Sequence, residues 1–253
     1  MHLILIGATG LVGSAVLDAF INMTDVSRIS ILSRRPVKMA EDASDPRISV
    51  ILHSDFATYG ADVLAQLEGA NGCVWALGTS QSAVTREEYV KITTTYAVKA
   101  AEAFATLGSK KEPFHFVFVS GDGATSKPGA FTPLYARVKG EAEVALAEVR
   151  KANPRLHVNS VRPGFVDWAG HDAIMPYFSP RPMMKQTAIT VFRPVFRAAL
   201  PGRCSPTQPL GRFLAEMAMG KWEEELNGPG FEKIGELCVV SNSNFRRLSG
   251  LNP

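Results

Sequence analysis

"HLILIGATGLVGSAVLDAF", residues 2–20, decides how the rest of the chain is read. The apolar run Leu3 to Ile6 reads as a strand, stops at Gly7, and gives way after Gly13 to apolar residues at helical spacing. Between them lies Gly7-Ala8-Thr9-Gly10-Leu11-Val12-Gly13. A G-x-x-G-x-x-G string alone is weak evidence, but with a strand before it and a helix after it the glycines acquire a mechanical meaning. Gly7 permits the tight turn, Gly10 lets the backbone approach a pyrophosphate, and Gly13 lets the helix pack closely on the strand. The free N–H groups and the positive end of the helix dipole then face the phosphates. Thr9, Leu11 and Val12 complete this candidate cradle. The alternative is a glycine-rich structural turn.

Outward from this stretch, short β-rich runs recur at residues 2–6, 28–32, 47–52, 72–77, 114–120 and 155–161, and several are apolar nearly throughout, as strands covered on both faces must be. Helical patterns fall between them near 11–22, 60–68, 86–107 and 133–152. The alternation predicts an α/β fold, a Rossmann-type doubly wound parallel sheet with helices on both sides. After Gly164 the rhythm fails in a proline-rich stretch, 165–210, read as a loop-rich substrate cap with one or two short helices. Helical periodicity returns at "LGRFLAEMAMGKW", a late strand is expected at "ELCVVS", and "NSNFRRL" closes the chain as a short helix. The "WEEEL" stretch at Trp222 reads as a solvated helix face. The expected organisation is one domain, 1–253, with 165–235 as the cap elaboration.

Composition sets outer limits. A chain of 253 residues with 46% hydrophobic and 20% charged residues is ordinary globular material able to bury one sizeable core. A formal charge of +3, with no basic cluster longer than a pair, gives no reason to expect nucleic-acid binding. The N-terminal apolar run is too short for a membrane span, so no membrane association is expected. Cys73, Cys204 and Cys238 are odd in number and widely spaced, which points to reduced thiols and a cytoplasmic location. No Cys/His ligand spacing is visible and the five histidines are scattered, so no metal is expected.

The end of the second strand bears on cofactor choice. Sites preferring NAD usually place Asp or Glu roughly 20 residues beyond the glycines to grip the ribose hydroxyls. Here the sequence is "ILSRRPVK", and Ser33, Arg34 and Arg35 offer hydroxyl and guanidinium donors that suit a 2′-phosphate. One charge-assisted contact of about 1.5–3 kcal/mol corresponds to roughly 10- to 150-fold in affinity, so NADP(H) is the expected cofactor. The bland alternative is a pair of solvated loop arginines.

With "GATGLVG", "LSRRP", "LYARVK" and "VRPGFV" in this order, the chain resembles the short-chain dehydrogenase/reductase superfamily over residues 2 to about 166, and within it the atypical branch. "ALGTSQS" and "EEYVKITTTYAVKAAEAF" point to its nucleoside-diphosphate-sugar-epimerase-like subgroup, which includes a small human tumour-suppressor oxidoreductase. The resemblance implies that Asp55 holds the adenine edge and Phe56 supports it. It implies that Ala76, Leu77 and Gly78 line the ribose and nicotinamide, and that Pro163, Gly164 and Val166 present backbone to the carboxamide. Asp55 as a helix N-cap and Pro163-Gly164 as a strand-ending turn remain open.

Tyr135 and Lys139 lie four apart, on one face of a helix starting near Pro133, with Cβ atoms about 5–6 Å apart. A free phenol has a pKa of about 10. An ammonium at roughly 4 Å contributes about 4 kcal/mol at an effective dielectric near 20, enough to bring Tyr135 toward working pH. In the resembling family this tyrosine exchanges a proton with the substrate oxygen while the lysine also holds the nicotinamide ribose, so both are cofactor-binding as well as catalytic candidates. The alternative is a packed aromatic beside a solvent-facing charge. The family's third member is a hydroxyl just past the fifth strand, where relatives commonly show two serines. Here "VSGDGATS" puts Gly121 at the second place, leaving Ser120 as the candidate and Asp122, Thr125 or Ser126 as substitutes. Thr93 stands where relatives often carry Asn or Asp.

The expected activity is an NADPH-dependent reductase acting on a carbonyl or conjugated double bond. Met175, Tyr177, Phe178, Met183, Met184, Phe192 and Phe196 would enclose a small hydrophobic or aromatic substrate. The alternatives are an epimerase-like enzyme without net redox, and a non-catalytic NADPH-sensing regulator. A monomer or a homodimer paired through the helices near 86–107 and 133–152 is compatible with the sequence.

Overall fold

A computed structural model describes residues 1–107, 112–178 and 199–251. β1 (His2–Ile6) is buried along its whole length, which requires cover on both faces. Its side chains divide accordingly: Leu3 and Leu5 enter one apolar core, Ile4 and Ile6 the other. β5 (Phe114–Val119) divides the same way, sending Val117 and Val119 into the first core and three phenylalanines into the second.

The main sheet has the order β3 (Ile48–Leu52), β2 (Arg28–Ser33), β1, β4 (Gly72–Trp75), β5, β6 (Leu156–Arg162), β10 (Leu237–Ser241), β9 (Glu232–Ile234). Every pairing in it is parallel except that of β9 with β10. The strand order reverses between β1 and β4, which opens a crevice at their carboxyl ends. The first core is covered by α1 (Leu11–Asn22), α2 (Lys38–Ala43) and α7 (Thr207–Ala218). The second is covered by α3 (Ala61–Gln66), α5 (Tyr96–Phe104) and α6 (Leu134–Ala152). The doubly wound architecture is the one the alternating sequence pattern predicts.

Three departures have physical causes. The helix expected over 86–107 is broken into α4 (Arg86–Val90), a π-helical turn (Lys91–Thr95) and α5. The wider turn places Thr93 in the interior and lets the Thr94 hydroxyl donate to the Val138 carbonyl of α6 at 3.5 Å. Second, the segment 165–235 is not all cap. Leu210, Phe213 and Leu214 of α7 belong to the first core, and Gly211 lies directly on the Ala15–Val16 backbone of α1. β9, too, extends the main sheet. The described remainder includes a two-stranded ribbon, β7 (Phe165–Asp167) with β8 (Cys204–Pro206), and two short 3-10 turns, Asp172–Ile174 and Pro201–Arg203. Third, α8 (Glu223–Asn227) does not present "WEEEL" as a solvated face, because Leu226 is buried and Glu223 contacts two histidines. The chain closes with α9 (Asn242–Leu248). All three cysteines are buried free thiols, and no described helix is long and apolar enough to cross a membrane.

One buried charge pair ties α6 to the sheet. Glu143 is wholly buried and accepts from Arg162 Nε at 3.0 Å, Arg162 Nη2 at 2.5 Å and the Ser160 hydroxyl at 2.8 Å. Arg162 also reaches Glu232 of β9 at 2.7 Å. Removing Glu143 leaves buried Arg162 only the half-exposed Glu232 as partner, at a cost of up to about 3–5 kcal/mol. Glu143→Ala is therefore expected to lower the free energy of unfolding by that amount in urea denaturation, whereas exposed Glu148→Ala changes it by less than about 0.5 kcal/mol.

Candidate functional site

At the carboxyl end of β1, Gly7 adopts φ +94°, and a Cβ there would stand 2.6 Å from the Ala76 carbonyl group and the Leu77 nitrogen. The turn therefore lies flat against the end of β4. Gly13 is as constrained, since its Cβ would overlap the Gly7 carbonyl. Gly10 is exposed and extended; its N–H donates to the Gly7 carbonyl at 3.0 Å and its own carbonyl accepts from Ser14 at 2.8 Å. No side chain caps α1, so its leading N–H groups, at Leu11, Val12 and Gly13, are presented as an N-terminal anion cradle. Thr9, Leu11 and Val12 are half-buried around it.

Around this turn the carboxyl edge of the sheet gathers most of the sequence candidates. Ser33 ends β2 and its hydroxyl accepts the Arg35 N–H at 3.4 Å, while Arg34 and Arg35 are exposed just beyond. Past β3, the Asp55 carboxylate accepts from the Ala57 N–H at 3.0 Å and the Thr58 hydroxyl at 2.9 Å. Those bonds hold its pKa below the usual carboxylate value. Asp55 is exposed, so both oxygens keep room for a further donor. Phe56 is buried, 5.2 Å from the His53 ring and 6.0 Å from Trp75, and so supports this loop from the core side. Ala76 and Leu77 are half-buried and Gly78 is exposed at the end of β4.

The third wall comes from β5 and α6. Tyr135, 37% exposed, donates its hydroxyl hydrogen to the Asp122 carbonyl at 3.2 Å. Lys139 Nζ donates to the Val119 carbonyl at 2.8 Å and stands 4.7 Å from the Phe118 ring centre. The two side chains thus share one helix face and engage two carbonyls on either side of Ser120. Burial pulls the Lys139 ammonium down to about 8, with Glu143 one turn further on opposing the shift. The Ser120 N–H is held by the Val161 carbonyl at 2.8 Å, and its buried hydroxyl has no hydrogen-bond partner. Of the substitutes considered for it, the Thr125 hydroxyl accepts from the Lys127 N–H at 3.1 Å and the Asp122 carboxylate faces Arg203 at 3.5 Å. Gly123, at φ +82°, makes room for the phenol: a Cβ there would lie 2.9 Å from the Tyr135 oxygen.

The last group sits at the junction of β6 and β7. The Pro163 carbonyl accepts from the Asp122 N–H at 2.8 Å, the Gly164 N–H donates to the Ser205 hydroxyl at 2.9 Å, and Val166 pairs with Ser205 in the small ribbon. Gly164 is also pressed against the Arg203 carbonyl. These groups brace the cap against β5, as a strand-ending turn does. Of the cap residues, Met175 is exposed and Phe178 lies 5.7 Å from Trp168. Met183, Met184, Phe192 and Phe196 lie outside the described residues.

Two features escaped sequence reading. Gln81, inside "ALGTSQS", accepts the Tyr135 N–H at 2.9 Å and so satisfies one donor of the first turn of α6, whose N-cap residue Pro133 makes no side-chain bond. His115, His157 and Glu223 converge at the opposite edge of the sheet. The signal was present, because each histidine is the second residue of its strand and the parallel register sets them side by side.

The sheet order, the glycine turn and the helices on both faces define a Rossmann-type doubly wound architecture, with Tyr135, Lys139 and the buried Ser120 at the carboxyl edge of the sheet. No family model matches the chain. It is 35% identical over 238 residues to leucinostatins biosynthesis cluster protein T of Purpureocillium lilacinum, covering 87% of this chain and 85% of that protein. The chain belongs to the same family as that protein. Among solved structures, a short-chain dehydrogenase/reductase from Saccharomyces cerevisiae superposes with a TM-score of 0.65 at 15% identity, covering 100% of both chains. MoeE5 in complex with UDP-glucose and NAD superposes with a TM-score of 0.63 at 16% identity, covering 100% of this chain and 83% of that one.

The packing at the glycine turn makes a direct prediction. Gly7→Ala combines left-handed strain with backbone overlap, and is expected to destabilise the protein by about 1–3 kcal/mol in chemical denaturation, while Gly78→Ala, whose Cβ meets nothing within 4 Å, leaves the midpoint unchanged.

Proposed function

We infer that the chain is an NADPH-dependent oxidoreductase that reduces a carbonyl or conjugated double bond of a small hydrophobic or aromatic substrate. The observation that carries this reading is the convergence of Tyr135, Lys139 and the unpartnered Ser120 hydroxyl beside the glycine turn. The residues fit a dinucleotide: the side-chain-free Gly7–Gly13 cradle accommodates a pyrophosphate, and the exposed Arg34 and Arg35 suit a 2′-phosphate. MoeE5 was solved with NAD; this chain has arginines and no carboxylate directly after β2, which favours the phosphorylated form. The biosynthesis-cluster name of the 35%-identical relative supports a role in assembling a small organic molecule.

A bound nicotinamide supplies the hydride. The chain's residues supply the rest. Ser120 donates a hydrogen bond to the substrate oxygen, polarising it. Tyr135 delivers the proton to that oxygen, and its hydroxyl must leave the Asp122 carbonyl to do so. Lys139 holds its positive charge near the phenol and offers remaining donors to a ribose hydroxyl. Trp168, Met175 and Phe178 give the cap an apolar lining.

The test is turnover on a panel of carbonyl and enone substrates with NADPH. Tyr135→Phe is expected to lower kcat by about 10²- to 10⁴-fold with NADPH affinity retained. NADPH binding without any turnover, unaltered by Tyr135→Phe, would contradict an enzyme and favour a regulator. Replacing Arg34 and Arg35 by Ala is expected to weaken NADPH by about 10- to 100-fold and leave NADH unchanged. The pH profile has a defined sign. Lys139 is charged below about 8 and loses that charge above it, so the rate falls as pH rises through that value. In Lys139→Arg, where the cation persists, that alkaline limb moves upward; a limb at the same pH in the variant would assign it to another group.

A further inference from the structure

At the amino edge of the sheet, far from the glycine turn, His115 of β5 and His157 of β6 are register partners. Their rings meet edge to face at 5.5 Å between centres. Glu223, the first residue of α8, reaches between them, with Oε1 3.3 Å from His115 Nδ1 and Oε2 3.1 Å from His157 Nδ1. One ligand atom from each residue lies within 4.8 Å of the other two. We propose that His115 Nδ1, His157 Nδ1 and the Glu223 carboxylate bind one divalent transition-metal ion of the zinc class, with water in the remaining position.

The geometry and chemistry of the donors argue for it. Zinc takes imidazole nitrogen and carboxylate oxygen at about 2.0–2.2 Å in a tetrahedron, which spaces ligand atoms by about 3.3 Å. The two nitrogen–oxygen separations, one to each carboxylate oxygen, are close to that edge length, so Glu223 would hold the ion through both oxygens or through one after a small rotation. An ordinary hydrogen-bonded cluster accounts less well for His115, which is 7% exposed and whose buried Nδ1 is aimed into the cluster with Glu223 Oε1 at 3.3 Å but out of hydrogen-bond alignment. A buried nitrogen of this kind costs about 1–3 kcal/mol unless something takes its lone pair or proton. A metal ion does so. The ring is fixed from behind by Gly220, at φ +76°, where a Cβ would stand 2.5 Å from His115 Nε2. His157 and Glu223 are each about a quarter exposed, so the position is open to solvent for entry of the ion and for a water ligand. Loading requires each imidazole to turn its Nδ1 lone pair inward and keep its proton on Nε2, with any Nδ1 proton released.

The consequence is structural. A metal here would clamp α8 onto the ends of β5 and β6, holding the turn at Gly220 against the sheet edge opposite the nucleotide crevice. The class of ion follows from two imidazoles and one carboxylate, a donor set that suits zinc, nickel or cobalt over calcium or magnesium.

Tag-free protein, stripped with a chelator, is titrated with Zn²⁺ by calorimetry and with Co²⁺ by visible absorption. The expected result is one equivalent bound, a Co²⁺ spectrum of four- or five-coordinate nitrogen and oxygen ligation, and a thermal midpoint raised by Zn²⁺. Glu223→Gln keeps an amide acceptor in place and His157→Asn a comparably sized polar group; each is expected to weaken Zn²⁺ at least about 10-fold. Circular dichroism of both variants without metal establishes that they fold. The proposal is overturned if the unmodified protein binds no Zn²⁺, if both folded variants bind as tightly as it does, or if Co²⁺ shows the charge-transfer band of thiolate ligation.

Discussion

The structure depends on the approach of three backbone segments that no side chain separates. Gly7, Gly13 and the Ala76–Leu77 peptide meet at distances where a single methyl group at either glycine would collide with main chain. That contact fixes α1 on the ends of β1 and β4, which is where the strand order reverses and a crevice must open. It also leaves the leading N–H groups of α1 without a side-chain cap, pointing at the same crevice. Close packing and an open, uncapped helix N-terminus thus arise from one constraint, the absence of Cβ atoms.

The opposite wall is set by a second constraint, the position of α6 relative to β5. Gly140 lies directly on the Thr125 carbonyl, Glu143 is locked to Arg162, and Gln81 takes up the Tyr135 N–H. Three contacts along one helix therefore fix where Tyr135 and Lys139 can be. Glu143 has a further effect: its negative charge partly offsets the burial that would otherwise strip Lys139 of its proton. A structural ion pair and a candidate catalytic cation are coupled along the same helix face, at positions four apart.

Much of this was legible in the sequence because it is written in local patterns. The strand runs and the glycine turn need only neighbouring residues, and α1 spans Leu11–Asn22 as its periodicity predicts. Ser33 through Arg35 and Tyr135 with Lys139 are marked as candidates by their place after a strand or at the start of a helix. What was hidden depends on contacts between distant segments. The π-helical turn within 86–107 falls on the β-branched run Ile92 to Thr95, which weakens a helix without specifying its widening, and the widening serves packing on α6. The cap boundary failed because proline density at 165–210 masked how α7 returns to the core through Gly211. Glu223, in a run of glutamates, looked like solvent-facing charge until the register of β5 and β6 brought two imidazoles to it.

The inferred role of the glycine turn is to hold a phosphorylated dinucleotide. Fluorescence titration of the intact protein with NADPH and NADH at one ionic strength tests it most directly. The account predicts saturable binding of one NADPH per chain, at least about 10-fold tighter than NADH, as expected for one charge-assisted phosphate contact. Failure of both nucleotides to saturate, or tighter binding of NADH, would contradict it.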